Sequence, residues 1–243
     1  MVTQPTSIAV IVPAYNPPAG WSLQLLDAWK QLCAAAGQFH FRLYLVNDGS
    51  SSSVFTDELP RLQEELPAVE VTTLAINSGK GAAVRSGISQ AQGDFFLLTD
   101  IDFPYTIDSM LRILHAVAAL PGADIAAGNR DASYYNQVPG FRGGLSRFLR
   151  YLIRKRLRLP FDDTQCGLKA LSEKGKKVFL ATRTNRYLYD LELIVKAVAQ
   201  KDLRVVPVPV ELRSGIEMRR MSPRILLQEA GNFLNIFFFR HRL

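Results

Sequence analysis

Histidine and cysteine are scarce in this chain, three and two among 243 residues. Cys33 and Cys166 are too few for a disulfide framework or a zinc site and fit a reducing compartment as free thiols. His40, His115 and His241 all lie outside the polar turns described below, so a histidine base or nucleophile is not expected. Long apolar runs are also missing: none approaches the ~18 residues that a membrane span needs. Met1–Ser7 carries no Lys or Arg ahead of the apolar stretch Ile8–Pro13, which argues against a secretory leader and for a first strand. Acidic residues are the minority. With 29 Lys and Arg against 22 Asp and Glu, the net charge is +7, and an anionic partner is expected. At 48% hydrophobic and 21% charged, the composition is otherwise that of a globular protein.

Short β-rich runs alternate with helical segments through the first half. Ile8–Pro13, Phe41–Asn47, Val69–Ala75, Phe95–Thr99 and Asp124–Ala127 read as strands, and Trp21–Ala36, Val54–Glu65, Gly81–Ala91 and Ile107–Leu120 as helices. That alternation predicts an α/β fold, a mostly parallel sheet with helices on both faces and ligands beyond the carboxyl ends of its strands. The polar turns fall at that rim: Tyr15-Asn16, Asn47-Asp48-Gly49-Ser50, Asn77-Ser78-Gly79-Lys80 and Thr99-Asp100-Ile101-Asp102. Further on, residues 130–144 read as a loop, Leu145–Leu159 as a helix, Asp163–Leu171 as a turn and short strand, and Tyr189–Gln200 as a helix. Leu203–Val210 reads as a proline-punctuated edge strand, and Pro223–Phe239 as a last helix. Without repeats or linkers, residues 1–243 are expected to form one domain, with an amphipathic helix at about 223–240.

Asp100 and Asp102, two apart after an apolar strand, can converge on a hard divalent cation, Mg²⁺ or Mn²⁺. Alone the pair would more often be a turn with capping acids; its place among three other polar turns reverses that preference in favour of the cation. Asp48 reads either as a turn and cap residue or as a carboxylate for a ribose or base edge. The run Asn77–Gly81 opens a helix but is no Walker A loop, since Gly81 follows Lys80 and position 74 is Leu. Its glycines permit close backbone approach, and Lys80 can face a diphosphate at the helix N-terminus. No G-x-G-x-x-G follows the first strand, which disfavours a dinucleotide-dependent oxidoreductase. Asp190 and Glu192, two apart on a helix, do not share a face. At most one is expected to meet the site, leaving the other an ordinary surface acid.

Together these blocks resemble family 2 glycosyltransferases of the GT-A fold. The match is carried by Ile11-Val12-Pro13-Ala14-Tyr15-Asn16, Val46-Asn47-Asp48-Gly49-Ser50, Asn77-Ser78-Gly79-Lys80-Gly81 with Ala83 and Gly87, Gly93-Asp94, and Asp100-Ile101-Asp102. Asp163-Thr164-Gln165-Cys166-Gly167-Leu168-Lys169, Tyr189-Asp190-Leu191-Glu192-Leu193 and Val206–Val210 are similar to dolichyl-phosphate glucosyltransferases and bacterial polyprenyl-phosphate sugar transferases. The resemblance implies a hexosyltransferase whose donor, a nucleotide diphosphate sugar (UDP-glucose-like or GDP-mannose-like), is held by Pro13, Ala14, Tyr15, Asn16, Asp48, Lys80 and Asp100. It places Mg²⁺ or Mn²⁺ on Asp100 and Asp102, and the phosphate of a polyprenyl or dolichyl acceptor on Arg130, Arg142 and Ser146, with Arg213 closing over the site. Two positions depart from the pattern: Asn47 replaces a more usual Asp, and Pro104 stands where the mannosyltransferase branch carries a Gln ligand.

The expected activity is therefore metal-dependent, inverting transfer of a sugar to a polyprenyl phosphate at the cytoplasmic membrane face. One alternative keeps the fold but takes a hydroxyl acceptor, with Asp163 or Asp190 as base. Another is a non-catalytic module that binds nucleotide sugar or membrane. A nucleic-acid partner is not expected.

Two segments bear on the membrane. Within Phe141–Leu159, Leu145, Phe148, Leu149 and Leu152 share one helical face, and Arg147, Arg150, Arg154 and Arg158 the opposite one. That stripe suits anionic headgroups or, alternatively, the charged outer face of a structural helix. Phe233–Phe239, followed by Arg240-His241-Arg242, fits an interfacial anchor or a helix docked on the sheet or on a second subunit. Four arginines at ~1 kcal/mol each give roughly 4 kcal/mol before ordering costs, a reversible and salt-sensitive attraction. Vesicle sedimentation is expected to show binding to anionic over neutral liposomes that falls with salt to a residual. Deleting Phe237–Leu243 removes that residual; equal binding to both vesicle types would discount the arginine face.

Overall fold

The computed structural model describes residues 5–130 and 163–214. Seven strands form one sheet: β1 (Thr6–Ala14), β2 (Phe39–Asn47), β3 (Glu70–Thr73), β4 (Phe95–Leu98), β5 (Ile125–Arg130), β6 (Lys169–Leu171) and β7 (Val205–Val210). Their order is β3-β2-β1-β4-β6-β5-β7. All run the same way except β6, which is antiparallel to both β4 and β5. Among the described residues six helices cover it: α1 (Trp21–Ala35), α2 (Val54–Glu65), α3 (Lys80–Gln90), α4 (Ile107–Ala118), α5 (Glu173–Leu180) and α6 (Tyr189–Val198).

A strand covered on both faces reads as a continuous apolar run, and β1 is such a strand. Its Ile8, Val10 and Val12 enter the core under α1, α2 and α4, while Ala9 and Ile11 enter the core under α3, α5 and α6. On the first face Trp21 stacks on Phe55 with ring centroids 5.1 Å apart, joining α1 to α2. Helix α4 starts where the Thr106 side chain accepts from the Ser109 amide, the expected N-cap geometry.

The expected mostly parallel α/β sheet is present, with local corrections. Strand β3 is confined to Glu70–Thr73. Strand β5 runs on through Arg130, pairing with β7 as far as Val210, so Arg130 ends a strand where a loop is expected to begin. Helix α5 was not expected: its sequence is polar and contains Gly175, and it forms because Ser172 caps it while Val178 and Phe179 bury against the sheet. Strand β7 is the proline-bearing edge strand, Pro207 and Pro209 being admissible there because one side needs no donors. Residues 131–162 and 215–243 lie outside the described residues. With them go the Leu145–Leu159 helix and its arginines, Arg142, Ser146 and the segment at 223–240. Among the described residues no helix is long and apolar enough to cross a membrane.

Helix α3 sits on the sheet at Gly87, where an added Cβ would stand 2.8 Å from methyl carbons of both Ile11 and Val46. Gly87→Val is therefore expected to destabilise the fold by about 1–3 kcal/mol through overpacking. Thermal unfolding checks this; an unchanged melting temperature would mean that the helix can back away freely.

Candidate active site at the carboxyl rim

The carboxyl ends of β1, β2 and β4 lie side by side, and their outgoing loops are stitched together. After β1 the chain turns at Asn16, whose φ is 42°. The Asn16 side-chain oxygen accepts from the amides of Ser51 (2.9 Å) and Ser52 (3.1 Å), and its own amide donates to Ser50 Oγ at 2.9 Å. Ala14 is buried, and its carbonyl accepts from the Asp48 amide at 2.7 Å. Asn16 and Ala14 thus build the rim, while Pro13 is half-buried in β1 and Tyr15 is exposed beside it.

Asp48 is buried, and both its oxygens are used. Oδ1 accepts from the Ser78 amide at 2.7 Å, and Oδ2 from the Gly79 amide at 2.9 Å and Asn77 Nδ2 at 3.1 Å. Burial pushes its pKa up, against the pull of those two amides and of Arg186. Its carboxylate shapes the Asn77–Gly79 turn, as the turn-and-cap alternative for this residue expects.

The N-terminus of α3 is not the phosphate cradle that its glycines suggested. The stretch Thr184–Arg186 lies across it. The Asn185 carbonyl accepts from the Ala82 amide at 3.1 Å. A Cβ on Gly79 would stand 2.5 Å from the Asn185 oxygen, and one on Gly81 2.5 Å from the Thr184 oxygen. The close approach that these glycines permit is to protein backbone. Glu192 holds the covering stretch, accepting from the amides of Arg183 (2.9 Å) and Thr184 (2.7 Å). Arg85 binds Thr182 Oγ1 and the Thr184 carbonyl from the α3 side, both at 3.0 Å.

The side chain of Lys80 turns instead to Asp100, with Nζ 2.5 Å from Oδ1; the two side chains are 22% and 32% exposed. Burial works against the charge on Lys80, but Asp100, with Tyr189 and Asp190 near by, more than offsets it and raises the ammonium pKa. Gly167 lies over the other oxygen of Asp100. A Cβ there would be 2.9 Å from Oδ2 and 3.5 Å from Lys80 Nζ, so the missing side chain keeps that oxygen approachable. Gly167 is placed by Tyr105, whose hydroxyl accepts from its amide and from the Cys166 thiol, each at 3.2 Å.

Arg213 arrives from the far end of the sheet. Its amide donates to the Pro104 carbonyl at 2.9 Å and its guanidinium to the Asp102 carbonyl, while Tyr105 and Leu212 form an antiparallel bridge. Arg213 Nε and Thr99 Oγ1, both buried, have no hydrogen-bond partner among the described residues. Lys80, Asp100, Asp102 and Arg213 thus meet around one turn.

Two buried ion pairs flank this centre. Arg130 forks onto Asp163, Nε to Oδ2 at 2.6 Å and Nη2 to Oδ1 at 2.8 Å, and its amide adds a third bond to Oδ2 at 3.0 Å. Burial alone would raise the Asp163 pKa, but Arg130 outweighs it and holds the carboxyl below its ordinary value. Lys169 Nζ lies 2.6 Å from Asp190 Oδ1, and burial pushes Asp190 up against the pull of Lys169 and Lys80. Asp190 and Glu192 are both buried, which corrects the expectation of one surface acid. The helix does separate them: Asp190 meets Lys169, and Glu192 meets the 183–184 backbone.

The family pattern "Glycosyl transferase family 2" matches residues 9–177, from β1 into α5. The chain belongs to this family. Among curated relatives of this glycosyltransferase, a dolichyl-phosphate beta-glucosyltransferase of Trichomonas vaginalis is 25% identical, over 97% of this chain and 74% of that protein. The enzyme of the same name in Drosophila melanogaster is 30% identical over 78% of this chain and 62% of its own length. The chain thus spans about three-fifths to three-quarters of the curated relatives it matches. Among solved structures, glucosyl-3-phosphoglycerate synthase from Mycobacterium tuberculosis with Mn²⁺ and UDP-glucose superposes with a TM-score of 0.68. It is 14% identical, covering 97% of this chain and 79% of that one. Mannosyl-3-phosphoglycerate synthase from Rubrobacter xylanophilus gives 0.69 at 14% identity, covering 98% and 76%. The fold is GT-A.

Of the residues expected at the site, Lys80, Asp100, Asp102 and Arg213 come together, and Tyr15 borders them on the rim. Arg130 is engaged with Asp163 instead of facing open space. His40 and His115 belong to the opposite end of the sheet, where the His115 ring lies 5.8 Å from Phe39 at the start of β2. Lys169, Tyr105, Arg85 and the Glu192 clamp were missed. Lys169 alone left a signal, a lone charge inside the apolar run Leu168–Leu171.

A carboxylate whose pKa is depressed on folding contributes stability above its unfolded pKa of ~3.9, and that contribution is lost as pH falls through the folded value. Asp163→Asn breaks the buried Arg130–Asp163 pair, and breaking a buried pair costs about 3–5 kcal/mol. Denaturant titrations of wild type and Asp163→Asn are therefore expected to differ by that amount at pH 7 and to begin converging only below about pH 4, as pH falls toward the folded-state value. A gap independent of pH would show that the pair's charge is not what stabilises it.

Proposed function

We propose that this glycosyltransferase moves a hexosyl group from a nucleoside diphosphate sugar to a polyprenyl phosphate, inverting the anomeric centre, at the cytoplasmic membrane face. The observation that carries this is the state of the acids. Asp163 and Asp190, the two carboxylates available as base for a hydroxyl acceptor, are both locked in buried ion pairs. A phosphate acceptor needs no base, because its second ionisation lies near pH 6 and it arrives as an anion. The names of the curated relatives favour dolichyl phosphate as the kind of acceptor and a glucosyl donor.

The oxygen donors at the turn fit a divalent cation. Asp100 and Asp102 supply hard ligands, and Gly167 leaves Asp100 Oδ2 open to approach. Among the described residues no third acid, His or Cys joins them, so diphosphate oxygens and water would complete the shell, as suits Mg²⁺ or Mn²⁺. When bound, such a cation supplies charge stabilisation to the departing nucleoside diphosphate. Lys80 and Arg213 add positive charge beside the same leaving group, and Tyr15 offers an exposed ring to the nucleoside. The acceptor phosphate attacks the anomeric carbon opposite the diphosphate; the C–O bond to the diphosphate breaks as the new C–O bond forms. Arg142 and Ser146 would receive the acceptor phosphate, and Arg130 would orient the segment that carries them. The Arg147–Arg158 face and the segment at 223–240 would rest on an anionic membrane.

A panel of labelled nucleotide sugars offered with a short polyprenyl phosphate, or with the matching polyprenol, tests this. Product is expected from the phosphate alone, at a rate that rises through about pH 6 and then levels as the acceptor becomes dianionic. Asp102→Ala, or excess chelator, is expected to lower turnover by roughly a hundredfold or more. Equal use of the polyprenol would overturn the acceptor assignment.

A further inference from the structure

We infer that Lys80 is the resident counter-ion of Asp100, exchanged for the divalent cation when a nucleoside diphosphate binds, so that cation and nucleotide bind cooperatively. This rests on the proposed cation site at Asp100 and Asp102 and adds a device to it. Lys80 Nζ and Asp100 Oδ1 are in direct contact at 2.5 Å, so a divalent cation on either oxygen of Asp100 would stand beside that ammonium, and two positive charges on one carboxylate repel. The backbone of Lys80 cannot carry the exchange. It begins α3, held by Thr184–Arg186 across Gly79 and Gly81 and by Asp48 through the Gly79 amide. The side chain can, because it ends in a partly exposed position under Gly167, where no Cβ blocks movement beside Asp100.

The alternative acid in reach does not compete for it. Asp190 belongs to Lys169 at 2.6 Å, so withdrawal from Asp100 leaves Lys80 in need of a new anion. A diphosphate at the rim supplies that anion. Lys80 then serves the phosphate and releases Asp100, and the cation takes the carboxylate free of the ammonium's repulsion. Without nucleotide, the cation must displace a lysine that has nowhere better to go. By linkage the effect is reciprocal: the cation strengthens nucleotide binding by the same factor.

Mn²⁺ binding, read from the free-ion signal in electron paramagnetic resonance with and without UDP, tests this without any turnover. Wild type is expected to bind Mn²⁺ at least tenfold more tightly in the presence of UDP, a coupling of about 1.4 kcal/mol. Lys80→Met is expected to bind Mn²⁺ alone about tenfold more tightly than wild type, and to lose most of the gain from UDP. Lys80→Gln serves as the second variant should Lys80→Met fail to fold. Arg213→Ala, which removes a cation held at the Asp102 carbonyl, is expected to change Mn²⁺ affinity without UDP by much less. If Lys80→Met binds Mn²⁺ no better than wild type, or if Arg213→Ala gains as much, the exchange is wrong. Asp100→Asn separates this from the parent reading: undiminished Mn²⁺ binding with UDP in that variant would remove the cation site itself.

Discussion

The rim depends on acids that accept backbone N–H groups. Asp48 fastens the β3–α3 turn to the end of β2 through the amides of Ser78 and Gly79. Glu192 fastens the stretch before α6 through the amides of Arg183 and Thr184. Those two segments then close on each other across Gly79 and Gly81. A buried carboxylate bonded to two amides is strongly held, because losing either partner leaves a charge without solvent. Lys80 emerges from that junction with a fixed backbone and a movable ammonium. Its proposed chemistry therefore rests on two acids that act through backbone amides.

The pattern of charge around Asp100 has a similar economy. Two ion pairs, Arg130–Asp163 and Lys169–Asp190, are buried and closed; the third, Lys80–Asp100, is partly open. Closed pairs fix shape and give up reactivity. The partly open one keeps side chains that can rearrange when a ligand brings its own charge. That contrast separates a scaffold from a working site more sharply than residue type does, since all three pairs are lysine or arginine with aspartate.

Strand and helix periodicity made most of the fold legible, because Ile8–Val12, Leu43–Val46 and Phe96–Leu98 are continuous buried apolar runs with polar turns soon after. Asp100 and Asp102 were legible for the same reason, as the first charges after a buried strand. The glycines at 79 and 81 were legible only in part: the chain shows that backbone must come close, and only the fold shows that the arriving backbone is Thr184–Arg186. Glu192 was hidden because its partners are amides, which leave no mark in a side-chain pattern. Helix α5 was hidden because its eight residues depend on burying Val178 and Phe179 more than on local propensity.

The reversed direction of β6 has a further consequence for how this architecture can change. Strand β5 leaves the sheet at the rim, and β6, being antiparallel, enters from the same rim. The connection between them therefore starts and finishes on one side, and its ends are pinned together by Arg130 and Asp163. Lengthening a connection whose ends are already joined costs little, about 0.6 kcal/mol for each doubling. Insertions and deletions at this point can thus change the length of the connection while the strand order stays the same. A parallel β6 would have required a crossover to the opposite end of the sheet, and every change in its length would then disturb the packing of a face.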